Sequence, residues 1–174
     1  MSRIGIVMEE ESGQKIVEVM IEKLGIVSKP KIVQSNGKGN LIKGRWKKFV
    51  YGRLGDCSKK IILVDYDTDP EFEKTLSVDV TDNDVMIHFV KESIESWILG
   101  CFGVKNPDNL SDPVSEIKKI LRRKHGAKRK YIKTVDGPKI AKRNELKHFR
   151  ASKSFKKFEE ILIKPCSPSA TSNH

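Results

Sequence analysis

The sequence predicts an α/β fold, with a central, mostly parallel sheet flanked by helices and a helical, basic C-terminal part. Two observations carry that prediction. Ile61-Ile62-Leu63-Val64 is an unbroken apolar run rich in β-branched residues, the pattern of a strand buried on both faces, as strands of parallel sheets are. On either side of it, short apolar runs alternate with segments whose apolar residues recur at spacings of three and four, the order of βαβ units. Length agrees: 174 residues suffice for one domain with a real core.

The elements follow in order. Arg3 to Met8 reads as a short buried strand. Ser12 is a candidate N-cap for a helix from Gln14 to Lys23, in which Ile16, Val17, Met20, Ile21 and Leu24 share a face and which Gly25 ends. Lys31 to Gln34 is a weaker strand. Residues 35–40 (Ser-Asn-Gly-Lys-Gly-Asn) form a loop that lacks the Walker A spacing. A helix is expected from Leu41 to Leu54, the central strand from Lys60, and a short helix from Pro70 to Leu76. Val85 to Val90 is a strand whose His88 reads as a core or edge histidine rather than a ligand. Helices are then expected over Glu92–Cys101, Pro113–Lys124, Pro138–Leu146 and Phe155–Leu162, with a loop at 103–113. One domain over residues 1–164 results, with an α/β core at 3–102, a helical basic extension at 103–164 and a Ser/Pro-rich tail at 165–174 expected to be disordered.

Composition narrows the function classes. No apolar run is long enough to span a bilayer. Met1 to Met8 is too short for a signal peptide, so none is expected. Cys57, Cys101 and Cys166 are widely spaced and form no Cys-x-x-Cys pair, which points to a reducing, cytoplasmic setting without disulfides or a zinc site. Net charge is +11, and it is segregated: residues 61–112 hold twelve acids and three bases, residues 28–60 ten bases and one acid, residues 113–164 eighteen bases and five acids. An acidic centre between basic flanks suits a metal-binding carboxylate cluster beside a polyanion-binding surface. The alternative is a solvated Lys-rich surface.

The candidate chemistry lies where the central strand ends. Asp65 and Asp67 follow the buried run two residues apart, so on a strand they would point to the same side and need a cation between them. A solvated turn is the plainer reading of the same residues. Glu9 stands just past the first strand; if the two strands are neighbours, the three carboxylates converge. Glu10 and Glu11 suit a helix N-terminus. Glu95 lies among Trp97, Ile98 and Leu99, where a buried carboxylate needs a partner. Lys43, Arg45, Lys47 and Lys48, and later Arg122, Arg123, Lys128, Arg129 and Lys130, are candidate nucleic-acid contacts. Tyr131 beside them could stack on a base or pack in the core.

In sequence order, Val7-Met8-Glu9-Glu10-Glu11-Ser12, Asp65-x-Asp67, Ile94-Glu95-Ser96-Trp97-Ile98-Leu99, Tyr131-Ile132-Lys133-Thr134 and Ser154-Phe155-Lys156-Lys157-Phe158 resemble the Toprim superfamily. The nearest resemblance is to the small stand-alone Toprim-like proteins of the DUF4276 group, related to OLD-family nucleases. Met8, Glu10 and Gly13 depart from that family's strand-Glu-Gly pattern. The resemblance implies a Toprim/Rossmann-like domain, Mg²⁺ (or Mn²⁺) on Glu9, Asp65 and Asp67 with Glu95 nearby, and cleavage of nucleic-acid phosphodiester bonds. It also implies a downstream lysine in the chemistry, Lys133 first and Lys139 second, and an ABC-type ATPase partner. Mg²⁺ suits such hard oxygen ligands. Two other readings stand beside it: a haloacid-dehalogenase-like phosphatase, which also places Asp-x-Asp after a buried strand, and a non-catalytic nucleic-acid-binding or assembly module of the same fold.

Overall fold

The structure, a computed structural model, describes residues 3–26, 28–67 and 69–164. The expected C-terminal tail and Cys166 lie outside the described residues. β3 (Lys59–Asp65) is central: Ile61, Ile62, Leu63 and Val64 are each no more than 1 % exposed. β1 (Ile4–Met8) runs parallel on one side of it, with Ile6 level with Ile61 and Met8 with Leu63. β4 (Val85–Val90) runs parallel on the other side, with Asp65 level with Val90. β2 (Lys31–Gln34) pairs with the outer side of β1, giving an all-parallel sheet in the order β2-β1-β3-β4. The chain therefore steps one way from β1 to β2 and the other way from β3 to β4. The seam between β1 and β3 is a topological switch point, where loops leaving adjacent strands diverge and open a crevice.

Two apolar layers cover the sheet. Ile6, Ile61, Leu63 and Val90 face the larger one, built on α1 (Gln14–Lys23), α4 (Glu95–Leu99), α5 (Pro113–His125), α6 (Lys133–Arg143) and α8 (Lys153–Ile163), with α7 (Leu146–Phe149) contributing Phe149. Val7, Ile62 and Val64 face the smaller one, which holds Trp46, Phe49 of α2 (Lys47–Val50), and Phe72 and Leu76 of α3 (Pro70–Asp79). Right-handed crossovers in opposite directions put α1 and α3 on opposite faces. Asp69, Asp112 and Ser152 cap α3, α5 and α8 by accepting from the amides of Phe72, Ser115 and Phe155. No helix of the described residues is long and apolar enough to cross a membrane.

The elements differ from expectation where local backbone geometry overrides periodicity. The helix expected over Leu41–Leu54 shrinks to α2, because Lys43 and Gly44 are left-handed and Gly44 gives its N–H to Asp79 at 2.7 Å. Glu92 has φ +58°, so α4 begins only at Glu95 and Glu92 is no first-turn acid. Ser12 caps nothing: its hydroxyl bonds the Glu10 carboxylate inside a 3-10 turn. α6 starts at Lys133, not at Pro138, since Asp136 reaches back to accept from the Ile132 amide and the helix runs through the proline. α3 runs on to Asp79.

Close packing fixes α4 against α7. A Cβ on Gly100 would stand 2.0 Å from the His148 carbonyl oxygen, a backbone atom with nowhere to go. Gly100→Ala should therefore destabilise the fold by about 3 kcal/mol; urea denaturation followed by circular dichroism measures it.

Candidate functional site

Glu9 leaves β1 and Asp65 ends β3, and these strands are hydrogen-bonded neighbours. Both residues line one small cleft with Met8, Glu10, Ser12, Gly13, Leu63, Ile94 and Lys133. The cleft holds about 10 Å³ of free space, roughly one water molecule or small ion. The strand-tip convergence expected from the sequence is present for these two residues. Burial pushes the Asp65 carboxyl up to about 7; Lys133 works against that shift, while Glu95, Asp67 and Glu9 add to it. Burial raises Glu9 as well, with Lys38 pulling it back.

Behind Asp65 stands the partner that Glu95 requires. Glu95 is 0 % exposed, and its Oε2 lies 3.3 Å from Lys133 Nζ. The Tyr131 hydroxyl donates to Oε1 at 3.4 Å. Burial pulls the Lys133 ammonium down, but Glu95 and Asp65 overcome it, so its net shift is upward and it is firmly charged. Lys133 is the first residue of α6, where a cation opposes the helix dipole, so its position is set by the carboxylates rather than by the helix. Tyr131 is buried and packs there; it offers no stacking surface. Lys139 is exposed, two turns along the same helix.

Asp67 does not continue the strand that carries Asp65. The strand ends at Asp65, and Asp67 adopts φ +48°, its amide bonded to the carbonyl of the equally left-handed Glu92. Two non-glycine residues in this region, side by side at the ends of β3 and β4, cost about 1–2 kcal/mol each, a concentration of strain typical of functional sites. Asp67 instead meets Lys38, whose Nζ is 3.1 Å from its Oδ2 and 5.1 Å from the Phe72 ring centre. Lys38 is the residue that sequence reasoning missed. It belongs to the loop set aside for lacking a Walker A spacing, and the available signal was that this loop follows β2 at the same end of the sheet as the acids.

The donor chemistry, hard carboxylate oxygens, fits Mg²⁺, which is commonly held by one or two carboxylates plus water and phosphate. A closed cage of Glu9, Asp65, Asp67 and Glu95 is not formed: among the described residues no three His, Cys, Asp or Glu side chains are grouped to hold a metal ion. Lysines separate the set, Lys133 drawing Glu95 back and Lys38 drawing Asp67 out.

A model of the family described as "Domain of unknown function (DUF4276)" matches residues 9–163. The chain belongs to the DUF4276 family. No curated protein and no solved structure matches it. The DUF4276 match begins at Glu9 and spans every candidate residue of the site.

In this DUF4276 domain the expected basic contacts divide between the two faces of the sheet. Lys43, Arg45, Lys47 and Lys48 are exposed around α2, in the smaller layer. Arg122 and Arg123 are exposed on α5, and Lys128 and Lys130 on the loop that runs directly into Lys133. Arg129 is the exception, since its guanidinium is bound to the buried Asp136. His88 is a core residue as expected, buried against Phe158 with ring centres 5.6 Å apart and its imidazole pushed down to about 4 by burial.

The Asp65 shift has a readout in stability. A carboxyl whose folded pKa lies above its unfolded value contributes most below pH 4, and that contribution is lost as pH rises through about 7. In EDTA, Asp65→Asn should exceed wild type in stability by about 1–2 kcal/mol at pH 8, after allowance for partial solvent access. The gap should close toward pH 4, as thermal melts across that range would register.

Proposed function

We propose that this DUF4276 protein is a Toprim-type, Mg²⁺-dependent nuclease, or the nuclease subunit of a system with an ABC-type ATPase. One observation carries the reading: Glu9 and Asp65, with Glu10 beside them, line an ion-sized cleft at the switch point of a parallel sheet together with a charged, half-buried lysine. Ligands of open α/β sheets bind at such points. Glu9 and Asp65 would hold the ion. When bound, it would supply a polarised phosphoryl oxygen and an activated water.

The chain's own residues supply the rest. Lys133, oriented by Glu95, presents positive charge where a phosphoryl group would gain negative charge. Met8, Leu63 and Ile94 supply an apolar part of the cleft wall beside Glu10 and Ser12, and low polarity there strengthens that interaction. Lys38 neutralises Asp67 on the open side and is placed to meet a second phosphate oxygen. The exposed Lys128 and Lys130 lie in the chain segment that delivers Lys133, so a polyanion held there is near the cleft.

The pairing of Asp67 with Lys38 and of Glu95 with Lys133 also favours a second reading, a nucleic-acid-binding module whose acidic site is internally neutralised. A cleavage assay decides between them. Plasmid, single-stranded DNA and transfer RNA are each incubated with Mg²⁺, Mn²⁺ or EDTA. Nuclease action predicts metal-dependent cleavage that falls about 100-fold or more in Asp65→Asn and in Lys133→Met. Salt-sensitive binding that persists in both variants, with no cleavage at any metal concentration, would establish the binding module instead.

A further inference from the structure

Two ammonium groups stand among the carboxylates, and they are held differently. Lys133 is paired with Glu95, which is fully buried. Lys38 is paired with Asp67, whose side chain is 54 % exposed. The Lys38 Nζ lies 3.1 Å from Asp67 Oδ2, donates to the Tyr66 carbonyl at 3.5 Å and stands 5.1 Å from the Phe72 ring centre. It is also close enough to Glu9 to matter there. Burial raises the Glu9 carboxyl, the Lys38 charge is the chief influence against that rise, and Asp67 adds to it. One ammonium therefore acts on the acid at the tip of β1 and on the acid beyond β3.

The loop that carries Lys38 is tied down. The Ser35 amide donates to the Met8 carbonyl at 2.8 Å, and the Gly37 amide to the Glu9 carbonyl at 3.3 Å. Asn40 braces the loop from within, its Nδ2 donating to the carbonyls of Ser35 and Asn36 at 2.9 and 3.1 Å. The lysine side chain, by contrast, turns about several single bonds, so its ammonium can leave Asp67 while the loop stays in place. The pair it leaves is largely solvated, and exposed ion pairs hold weakly. Lys133 has no such freedom, because its departure would strand the buried charge of Glu95. Of the two ammonium groups, Lys38 is the exchangeable one.

We infer, resting on the divalent-ion reading above, that Lys38 is a stand-in cation, which gives up Asp67 when a divalent ion enters the site. Before that exchange, Lys38 and Asp67 neutralise one another. After it, Asp67 has traded one positive partner for another of higher charge, and the Lys38 ammonium is released on the open side of the cleft. Ion loading thus frees the group that meets a phosphate oxygen. Binding of the ion and of the anion then favour each other, since coupling of two ligands is reciprocal. The exchange also accounts for the divided set of acids among the described residues, since an ammonium stands where they would otherwise close together.

Titration of the full chain with Mn²⁺, the free ion being measured by electron paramagnetic resonance, tests this. Lys38→Met keeps an unbranched stem against Phe72 and removes the charge. It should bind Mn²⁺ about fivefold more tightly than wild type, the effect of one unit charge about 4 Å away in water-like surroundings. Lys38→Arg can still pair with Asp67 and should stay within about twofold of wild type. Asp67→Asn takes away the group that is exchanged, and Asn suits the left-handed backbone at that position. Lys38→Met combined with Asp67→Asn should therefore bind Mn²⁺ no more tightly than Asp67→Asn alone. Circular dichroism checks that each variant is folded. Equal affinity in wild type and Lys38→Met overturns the exchange and leaves the divalent-ion reading standing. A gain that survives Asp67→Asn also overturns it, since the charge would then act through its field alone. Mn²⁺ bound by none of these proteins overturns both.

Discussion

A lysine paired with a fully buried glutamate, beside the carboxyl that ends the central strand, is the interaction on which the rest of this site depends. Asp65 stands where a fully apolar strand runs out, and Glu95 stands on a helix packed against the same face. The Glu95 charge would not be tolerated there without Lys133, because an unpaired buried charge costs several kcal/mol, and the same ammonium works against the upward shift of Asp65. The cation comes from about forty residues further along the chain, at a helix N-terminus that disfavours it. That helix is anchored by Asp136 and by close contact with α1, where a Cβ on Gly137 would strike Ile16. The positions of α1, α4 and α6 are in this way tied to one charge balance.

The same balance shapes the acids at the sheet's C-terminal end. Lys133 occupies the inner side and Lys38 the outer side, so the carboxylates form a divided set rather than a cage. The left-handed turns at Asp67 and Glu92 produce that division by sending Asp67 toward the β2 loop. In the proposed reading, Glu9 and Asp65 would take the cation, and the ammonium groups of Lys133 and Lys38 would face the anion. In the larger layer, Trp97 of α4 packs against Phe155 and Phe158 of α8, which joins the helix that carries Glu95 to the C-terminal part.

Away from the site, the parallel topology leaves a different requirement. A sheet with only four strands has two edges, and β4 is the more apolar of them. The helices on either side of it leave a groove rather than a cover.

The sequence by itself determined the sheet and its contents. Four successive aliphatic residues rich in β-branched side chains suit a strand covered on both faces, short apolar runs marked the strands at 4–8 and 85–90 and, more weakly, at 31–34, and the three-and-four spacing marked the helix at 14–23. It also determined that Glu9 and Asp65 lie at strand tips, since those strands end there. Tertiary structure decided the rest. Strand order placed β1 beside β3, and no local pattern encodes which strands are neighbours. Two φ angles in the left-handed region moved Asp67 and shortened α4, and such angles on non-glycine residues leave no mark in composition. Lys133 was named from a resemblance, but its pairing with Glu95 and the arrival of Lys38 at Asp67 depend on contacts between residues 38 and 29 positions apart in the chain. Contacts at that range are made by packing, which the order of residues constrains but does not spell out.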